Sequence, residues 1–337
     1  MTNSTKNDGR QAAKIQLGAT GPSVFPLGLG CMALSGMYGP TSEAEGIRTI
    51  HAAMDAGITL LDTGDFYGTG HNELLIGRAI ADRRDKVQLS VKFGALRGPD
   101  GAWLGYDGRP ASVKNFAAHS LRRLGVEVID VYRPSRLDPA VPIEDTIGAI
   151  ADMVKAGYVR HIGLSEVGVE TIRRAVKVHP IVDLQIEYAI SSRSPEEKIF
   201  PVLDELGLSA TLYAVFGRGL LTGKKPTGAQ DFRSYLPRFA GDTGAANNLA
   251  VERFAAYARD LRATPAQLAL AWVRAKAPRY LPLVGARTVD QLHDALGALS
   301  LSLTDAQLTE LEAIVNAETI QGTRYAAQHM AMLDSEK

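Results

Sequence analysis

Apolar residues along this chain fall into two rhythms that take turns from one end to the other. Short β-branched runs, bounded by Gly, Asp or Pro, predict strands at 27–31, 58–62, 87–92, 128–132, 159–164, 182–187, 209–214 and 280–284. Between them the spacing turns helical, predicting helices near 43–56, 72–82, 111–124, 143–156, 168–178, 195–206, 247–262 with 265–276, and 288–298. Ile143, Ile147, Ile150 and Val154 step by four, three and four along one helical face, and Gly157 follows as a stop. Ser42 with Glu45, and Thr304 with Gln307 ahead of Leu308, Leu311 and Val315, have the spacing of capping boxes.

Eight strand–helix units in succession predict a (β/α)8 TIM barrel, whose usual size is about 250 residues. Alternation alone also fits a doubly wound sheet. The count of eight and the lack of any linker favour the barrel. Residues 14–25 read as an N-terminal β-hairpin plugging its bottom. The expected organisation is a flexible N-terminus over 1–13, one domain over 14–317 and a C-terminal tail over 318–337. Two long Gly-rich connections, 94–110 and 215–246, follow the third and seventh strands. Loops of that length in a compact domain are usually functional, and both belong to the C-terminal face, where barrel enzymes build their sites.

Composition narrows the function classes. The chain has 337 residues, and its 37 Lys and Arg balance 37 Asp and Glu, so no basic excess points to nucleic acid or an acidic membrane. The apolar runs are too short to span a bilayer, and the polar first residues do not form a secretory signal; a cytoplasmic protein is expected. The single cysteine, Cys31, excludes an internal disulfide and a cysteine-based zinc site. His51, His161 and His179 share no ligand spacing, so no metal is expected.

The chemistry concentrates where strands end. The second strand runs into Asp62, Tyr67 follows five residues later, and the third strand ends in Lys92. Taken singly, Asp62 reads as a turn residue and Tyr67 as a half-buried aromatic, but a lysine closing an apolar strand needs a partner. Together they suggest a phenol tuned as a proton donor, with the lysine cation lowering its pKa from the ordinary value of about 10 and the carboxylate holding the lysine. A phenolic acid beside a carbonyl fits hydride transfer better than hydrolysis.

Gly28-Leu29-Gly30-Cys31-Met32-Ala33 matches the dinucleotide fingerprint G-x-G-x-x-A. That motif requires a helix opening directly over the pyrophosphate, and here Ser35 to Pro40 intervene before the helix signal at Ser42. The segment therefore reads as a closely packed first strand. Better phosphate candidates follow strands seven and eight, as is common in barrels: Gly217-Arg218-Gly219-Leu220-Leu221-Thr222-Gly223-Lys224-Lys225, and Gly285-Ala286-Arg287-Thr288 at a helix start.

With these motifs in view the chain resembles the aldo-keto reductases over roughly residues 14 to 316. The resemblance rests on Gly30-Cys31-Met32, Leu61 to Gly68, Lys92-Phe93-Gly94, Ile162-Gly163-Leu164-Ser165, Gln185-Ile186-Glu187-Tyr188, Gly217 to Gly223 and Gly285 to Thr288. A Phe232 to Phe239 segment places it among bacterial and plant NADPH-dependent members. The resemblance implies that Tyr67 is the general acid in carbonyl reduction, tuned by Lys92 and Asp62. It implies that Ser165 and Gln185 hold the nicotinamide carboxamide and that Tyr213 stacks on the ring. Gly30, Cys31, Met32, Gly217, Arg218, Gly219, Leu221, Lys224 and Gly285 would line the cofactor, and Arg287 and Gln291 would face the adenosine phosphate, which favours NADPH over NADH.

Three positions depart from the family pattern. Glu166 stands where Asn usually follows the serine, and Ala295 where Asn is often found. Ser135 stands where the family places a histidine after strand four, within Tyr132-Arg133-Pro134-Ser135-Arg136-Leu137-Asp138-Pro139. Pyridoxal reductases of the family resemble this chain in that respect. The expectation is an active NADPH-dependent reductase of an aldehyde or ketone, with pyridoxal-like aldehydes, sugar-derived carbonyls and bulky natural-product ketones, oxidised mycotoxins included, as substrate candidates. The competing class is a cofactor-binding regulatory subunit resembling the potassium-channel β subunits; a metal-free sugar isomerase is a third. A monomer or simple homo-oligomer is expected.

Overall fold

The computed structural model describes residues 13–228 and 231–337. The flexible terminus expected over 1–13 lies, except for residue 13, outside the described residues. Eight parallel strands close into a barrel: β1 (Gly28–Gly30), β2 (Leu60–Gly64), β3 (Gln88–Phe93), β4 (Ile129–Pro134), β5 (Val159–Ser165), β6 (Ile181–Glu187), β7 (Ser209–Tyr213) and β8 (Leu281–Gly285), with β8 pairing back to β1. Around them run α1 (Glu43–Asp55), α2 (His71–Ile80), α3 (Pro110–Leu124), α4 (Ile143–Lys155), α5 (Val169–Ala175), α6 (Pro195–Glu205), α7 (Gly241–Asp260), α8 (Pro265–Lys276), α9 (Val289–Leu296) and α10 (Asp305–Ile314).

Strand periodicity of two explains the interior. On each strand one set of side chains packs outward against the helices in the main core, as Leu61, Leu89, Val91 and Tyr132 do. The other set fills the barrel. At the bottom, Leu60, Val131, Val182 and Leu281 meet Leu17 and Val24 of the N-terminal hairpin (Ile15–Gln16 paired with Ser23–Val24), which plugs the barrel as expected. Above this layer the interior turns polar. Arg133 Nη1 donates to Asp183 Oδ2 at 3.0 Å and Nη2 to Ser90 Oγ at 3.1 Å, both partners being fully buried. Thr211 also donates to Asp183. The next layer up holds Asp62, Lys92 and Gln185, at the C-terminal mouth.

The helix ends follow their sequence signals. Thr304 and Gln307 form a reciprocal capping box. Ser42 accepts from Glu45 N, but the Glu45 carboxylate turns to Arg48 and to Val289 N instead of reaching back, so only half of that box forms. Beyond Gly30 the chain enters a 3-10 turn, Cys31–Ser35, and no α-helix begins before Glu43, which agrees with reading the glycine fingerprint as a packed strand.

Three segments differ from expectation. The connection after β3 is a structured antiparallel hairpin, Ala95–Arg97 with Trp103–Tyr106, stabilised by Trp103 packing edge-on to Tyr106 at 4.8 Å. Helix α7 starts at Gly241, six residues earlier than its apolar pattern, because Asn247 is fully buried and binds Arg238 O and Gln321 O. The segment from 318 onward folds back over the mouth. Asp334 Oδ2 accepts from Gly168 N at 2.8 Å and from Thr171 Oγ1 at 2.7 Å, tying it to the start of α5.

The loop that carries Tyr67 is pinned at Asp65, whose N–H donates to Lys92 O at 2.9 Å and whose Oδ2 accepts from Gly94 N at 3.2 Å. Burial raises the Asp65 carboxyl to about 7, against the Gly94 hydrogen bond. An acid raised in the folded state keeps a proton that the unfolded chain gives up near pH 4, so its contribution to stability is lost as pH rises from there through about 7. Asp65→Asn, which keeps an acceptor and removes the charge, should therefore gain stability relative to wild type between pH 5 and pH 8 in urea unfolding; an equal difference at both pH values would contradict this. In the same assay Asp183→Ala, which strands the buried Arg133, should cost about 3–5 kcal/mol. Removing the surface pair Arg173–Glu205 should cost under about 1 kcal/mol.

Candidate active site

Barrel register assembles the polar layer at the mouth. Asp62 on β2 pairs with Ser90 on β3, and Lys92 lies one inward position further on. Lys92 Nζ donates to Asp62 Oδ1 at 2.5 Å, while Asp62 Oδ2 accepts from Ser90 Oγ at 2.9 Å and Gln185 Nε2 at 2.7 Å. The carboxylate is thus held by three donors from two strands, β3 and β6, and the buried ammonium has the partner that burial requires. Burial pulls the Lys92 ammonium below its ordinary value, and Asp62 opposes that shift.

Tyr67 sits in the turn after β2, 7% exposed, with the Lys92 ammonium 5.0 Å from its ring centroid. The sequence reading had the lysine lowering this phenol. Burial dominates at the phenol and the charge of Asp62 adds to it, so the phenol lies well above its ordinary value; the cation that opposes the shift is Arg136. The consequence is a phenol that stays protonated at neutral pH.

Ser135 follows β4, is 2% exposed and lines the same cavity as Tyr67 and Lys92; among the described residues its buried Oγ has no hydrogen-bond partner. That cavity, about 750 Å³, runs from Tyr67 and Ser135 past Gln185 and Tyr213 to Lys224, Arg287 and Gln291. Gly30, Met32, Arg218, Gly219 and Gly285 also line it. Cys31, Ser165, Gly217 and Leu221 do not line it; Ser165, Cys31 and Leu221 are buried beside it. Cys31 is a buried thiol pushed up by burial, with Sγ directed to Leu29 O at 3.7 Å.

The end of the cavity after β7 and β8 suits a phosphorylated cofactor. Gly217, Arg218 and Gly219 all adopt positive φ, at 57°, 58° and 93°, in a tight turn closed by its own backbone, Gly217 N donating to Ala214 O at 2.7 Å and Gly219 N to Phe216 O at 3.0 Å. Arg233 braces this turn from below, donating to Arg218 O at 3.3 Å and Lys224 O at 3.2 Å while paired with Asp231. The Arg218 guanidinium is turned inward onto Glu187 and donates to Arg324 O at 2.7 Å, so its charge is already matched. Lys224 and Arg287 touch no carboxylate among the described residues. Arg287 Nη1 reaches Tyr38 O at 2.8 Å, and Gln291 Oε1 accepts Arg287 N at 3.0 Å at the start of α9. Two unmatched cations beside a helix start fit a phosphate monoester.

The sequence did not reveal what Glu166 does. It adopts φ 53° and is fully buried. Its Oε1 accepts from Glu187 N at 3.0 Å, Tyr213 OH at 2.8 Å and Arg324 Nη1 at 2.8 Å; its Oε2 accepts from Arg324 Nη2 at 2.6 Å and Ser335 Oγ at 2.7 Å. The residue that departs from the family's Asn is thus the anchor for the C-terminal segment, and Arg324 is its counter-ion. That segment brings Tyr325, Ala326 and His329 to the cavity wall. Arg136 and Tyr325 are site residues that sequence reasoning missed. Arg136 adjoins the flagged Ser135, whereas nothing in the polar pattern around Tyr325 marks it.

Comparison with known proteins agrees with this geometry. The Aldo/keto reductase family profile matches residues 26–316. A probable aldo-keto reductase of Glycine max is 40% identical over 322 residues, covering 94% of this chain and 92% of its own. Among solved structures, the glycerol dehydrogenase of Gluconobacter oxydans superposes with a TM-score of 0.81 at 28% identity, over 90% of this chain and 95% of that one. An aldo-keto reductase of Bacillus halodurans superposes with a TM-score of 0.71 at 27% identity, over 91% and 97%. With the family profile matching residues 26–316 and a relative 40% identical over 94% of the chain, this barrel, with its buried phenol and lysine–aspartate pair at the mouth, belongs to the aldo/keto reductase family.

Proposed function

We propose that the protein is an NADPH-dependent reductase of aldehydes or ketones, with Tyr67 as the general acid. The observation that carries this reading is the single cavity that joins the Tyr67 phenol and the Lys92–Asp62 pair at one end to Lys224, Arg287 and Gln291 at the other. Its length suits a dinucleotide lying between the two ends. When bound, the reduced nicotinamide supplies the hydride.

The chain's own residues do the rest. Gln185 donates to Asp62 and keeps its carbonyl oxygen free to accept from a carboxamide, with Ser165 beside it. Tyr213, its hydroxyl fixed by Glu166, presents its ring as a stacking surface. The Gly217–Gly219 turn and Lys224 receive the pyrophosphate, and Arg287 with Gln291 the 2′-phosphate. Tyr67, protonated at neutral pH, gives its proton to the carbonyl oxygen. Asp62 and Lys92 fix the polar floor beneath it. The unpartnered Ser135 Oγ supplies a hydrogen bond to the same oxygen in place of the family's histidine. Met32, Met37, Phe66, Trp103 and Tyr106 line the substrate end, which favours a bulky, largely apolar carbonyl compound over a small sugar. The domain acts as one catalytic unit with the segment 318–337 as part of its pocket wall, in the cytoplasm, as a monomer or simple homo-oligomer.

Tyr67→Phe should abolish NADPH oxidation across a panel of aromatic aldehydes, pyridoxal and bulky ketones, while leaving NADPH affinity within about threefold. Near-full turnover in that variant would overturn the assignment. Arg287→Ala should weaken NADPH by roughly 10- to 100-fold, the worth of a charge-assisted hydrogen bond, and NADH by far less. Equal losses for both would show that Arg287 does not read the 2′-phosphate.

A further inference from the structure

Serine at position 135 leaves the reacting end of the cavity with a neutral donor where a chargeable one is usual. Lys92 does not fill the deficit, since its ammonium is held by Asp62 at 2.5 Å. The residue after Ser135 is Arg136, whose side chain lines the cavity with Tyr67 and Ser135. Its Nη1 donates to Ser135 O at 2.5 Å and lies 3.5 Å from Ser165 Oγ, and its Nη2 donates to Tyr325 OH at 3.3 Å. A guanidinium has five N–H donors, so among the described residues the Nε proton and one Nη2 proton have no protein acceptor.

Charge matching around Arg136 is complete without it. Glu166 pairs with Arg324, Glu187 with Arg218, Arg324 and Arg238, and Glu336 with Arg324. Among the described residues Arg136 alone of these four guanidiniums touches no carboxylate. A cation enclosed in an aromatic-lined cavity, with Glu166 acting on it only from beyond contact, is costly, and it is tolerable where a negative charge appears during the reaction. Tyr67 feels the same field, for burial raises its phenol and Arg136 opposes that rise.

We propose that Arg136 is a catalytic residue: its guanidinium donates to the carbonyl oxygen of the substrate, beside Ser135 Oγ, and stabilises the alkoxide as it forms. Two neutral or permanently charged donors thus divide the work of one histidine. The balance of the reaction is unchanged. The carbonyl carbon gains the hydride, the C=O π pair moves to oxygen, Tyr67 gives that oxygen its proton, and Arg136 keeps all of its own, as a guanidinium must at any working pH. Preorganised donors of this kind contribute about 10²- to 10³-fold in kcat.

The inference rests on the carbonyl-reductase reading, and the experiment separates the two. Wild type, Tyr67→Phe, Arg136→Met and Arg136→Lys are compared with NADPH on neutral 4-nitrobenzaldehyde and on anionic 4-carboxybenzaldehyde, with NADPH affinity measured by fluorescence. Tyr67-dependent turnover in wild type establishes the reading. Arg136→Met should then lose about 10²-fold or more in kcat on both aldehydes with NADPH affinity within threefold, and added guanidinium ion should restore part of it. Arg136→Lys should keep more activity, and the alkaline limb of its pH profile should lie at or below that of Arg136→Met, because losing the cation raises the Tyr67 phenol. An unchanged kcat on 4-nitrobenzaldehyde with a raised KM only for 4-carboxybenzaldehyde would overturn the proposal and make Arg136 a clamp for anionic substrates. A loss confined to NADPH affinity would overturn it in favour of cofactor positioning. Should Arg136→Met fail to fold, wild-type-like kcat and pH profile in Arg136→Gln would overturn it equally.

Discussion

The buried contact between Lys92 and Asp62 governs the organisation of this molecule. An ammonium and a carboxylate removed from water are tolerable only with close pairing and further hydrogen bonds, and Asp62 has both, from Lys92, Ser90 and Gln185. Asp62 lies on β2 and its partners on β3 and β6, so the pair forms only if the barrel closes in the observed register. A slip of one residue on any of the three would turn its side chain outward into the helix layer. The Arg133–Asp183 pair one layer below imposes the same condition on β4 and β6. The apolar plug beneath and the helices outside supply the bulk of the burial, and these two pairs fix which arrangement of strands is compatible with it.

Upon that floor the mouth is divided by charge. Toward α9, Lys224 and Arg287 remain unmatched and face the end suited to phosphate. Toward β4, Arg136 remains unmatched beside Ser135. Between them Glu166, Glu187 and Glu336 absorb the charges of Arg218, Arg238 and Arg324. The same carboxylate, Glu166, orients the Tyr213 hydroxyl and anchors residues 318–337 through Arg324 and Ser335. One substitution relative to the family pattern therefore couples Tyr213 to the wall that supplies Tyr325.

The barrel was legible in the sequence because its signals are local: an apolar strand, a polar end, a helical stripe, a capping box. Asp62, Tyr67 and Lys92 were legible because polar groups closing buried strands are rarely idle. The elements that escaped depend on contacts between distant residues. The hairpin at 95–106 is held by Trp103 against Tyr106 in a glycine-rich stretch that reads as coil. The first turns of α7 look like loop until the burial of Asn247 against Gln321 is known. The inward turn of Arg218 could not be read from a basic glycine-rich motif, since Glu187 lies on another strand. The direction of the Tyr67 shift escaped for a related reason: adjacency to lysine is visible in the motifs, but the depth of the pocket and the charge of Asp62 at the phenol are not.

The most direct test of the central claim follows the hydrogen itself. Wild-type enzyme would be supplied with NADPH carrying deuterium at both C4 positions of the nicotinamide and a turned-over carbonyl substrate in ordinary water. The account predicts one deuterium on the carbinol carbon of the product and none on its oxygen, because the hydride passes directly and the proton comes from Tyr67. Product without deuterium at carbon would contradict direct hydride transfer and with it the role given to this site.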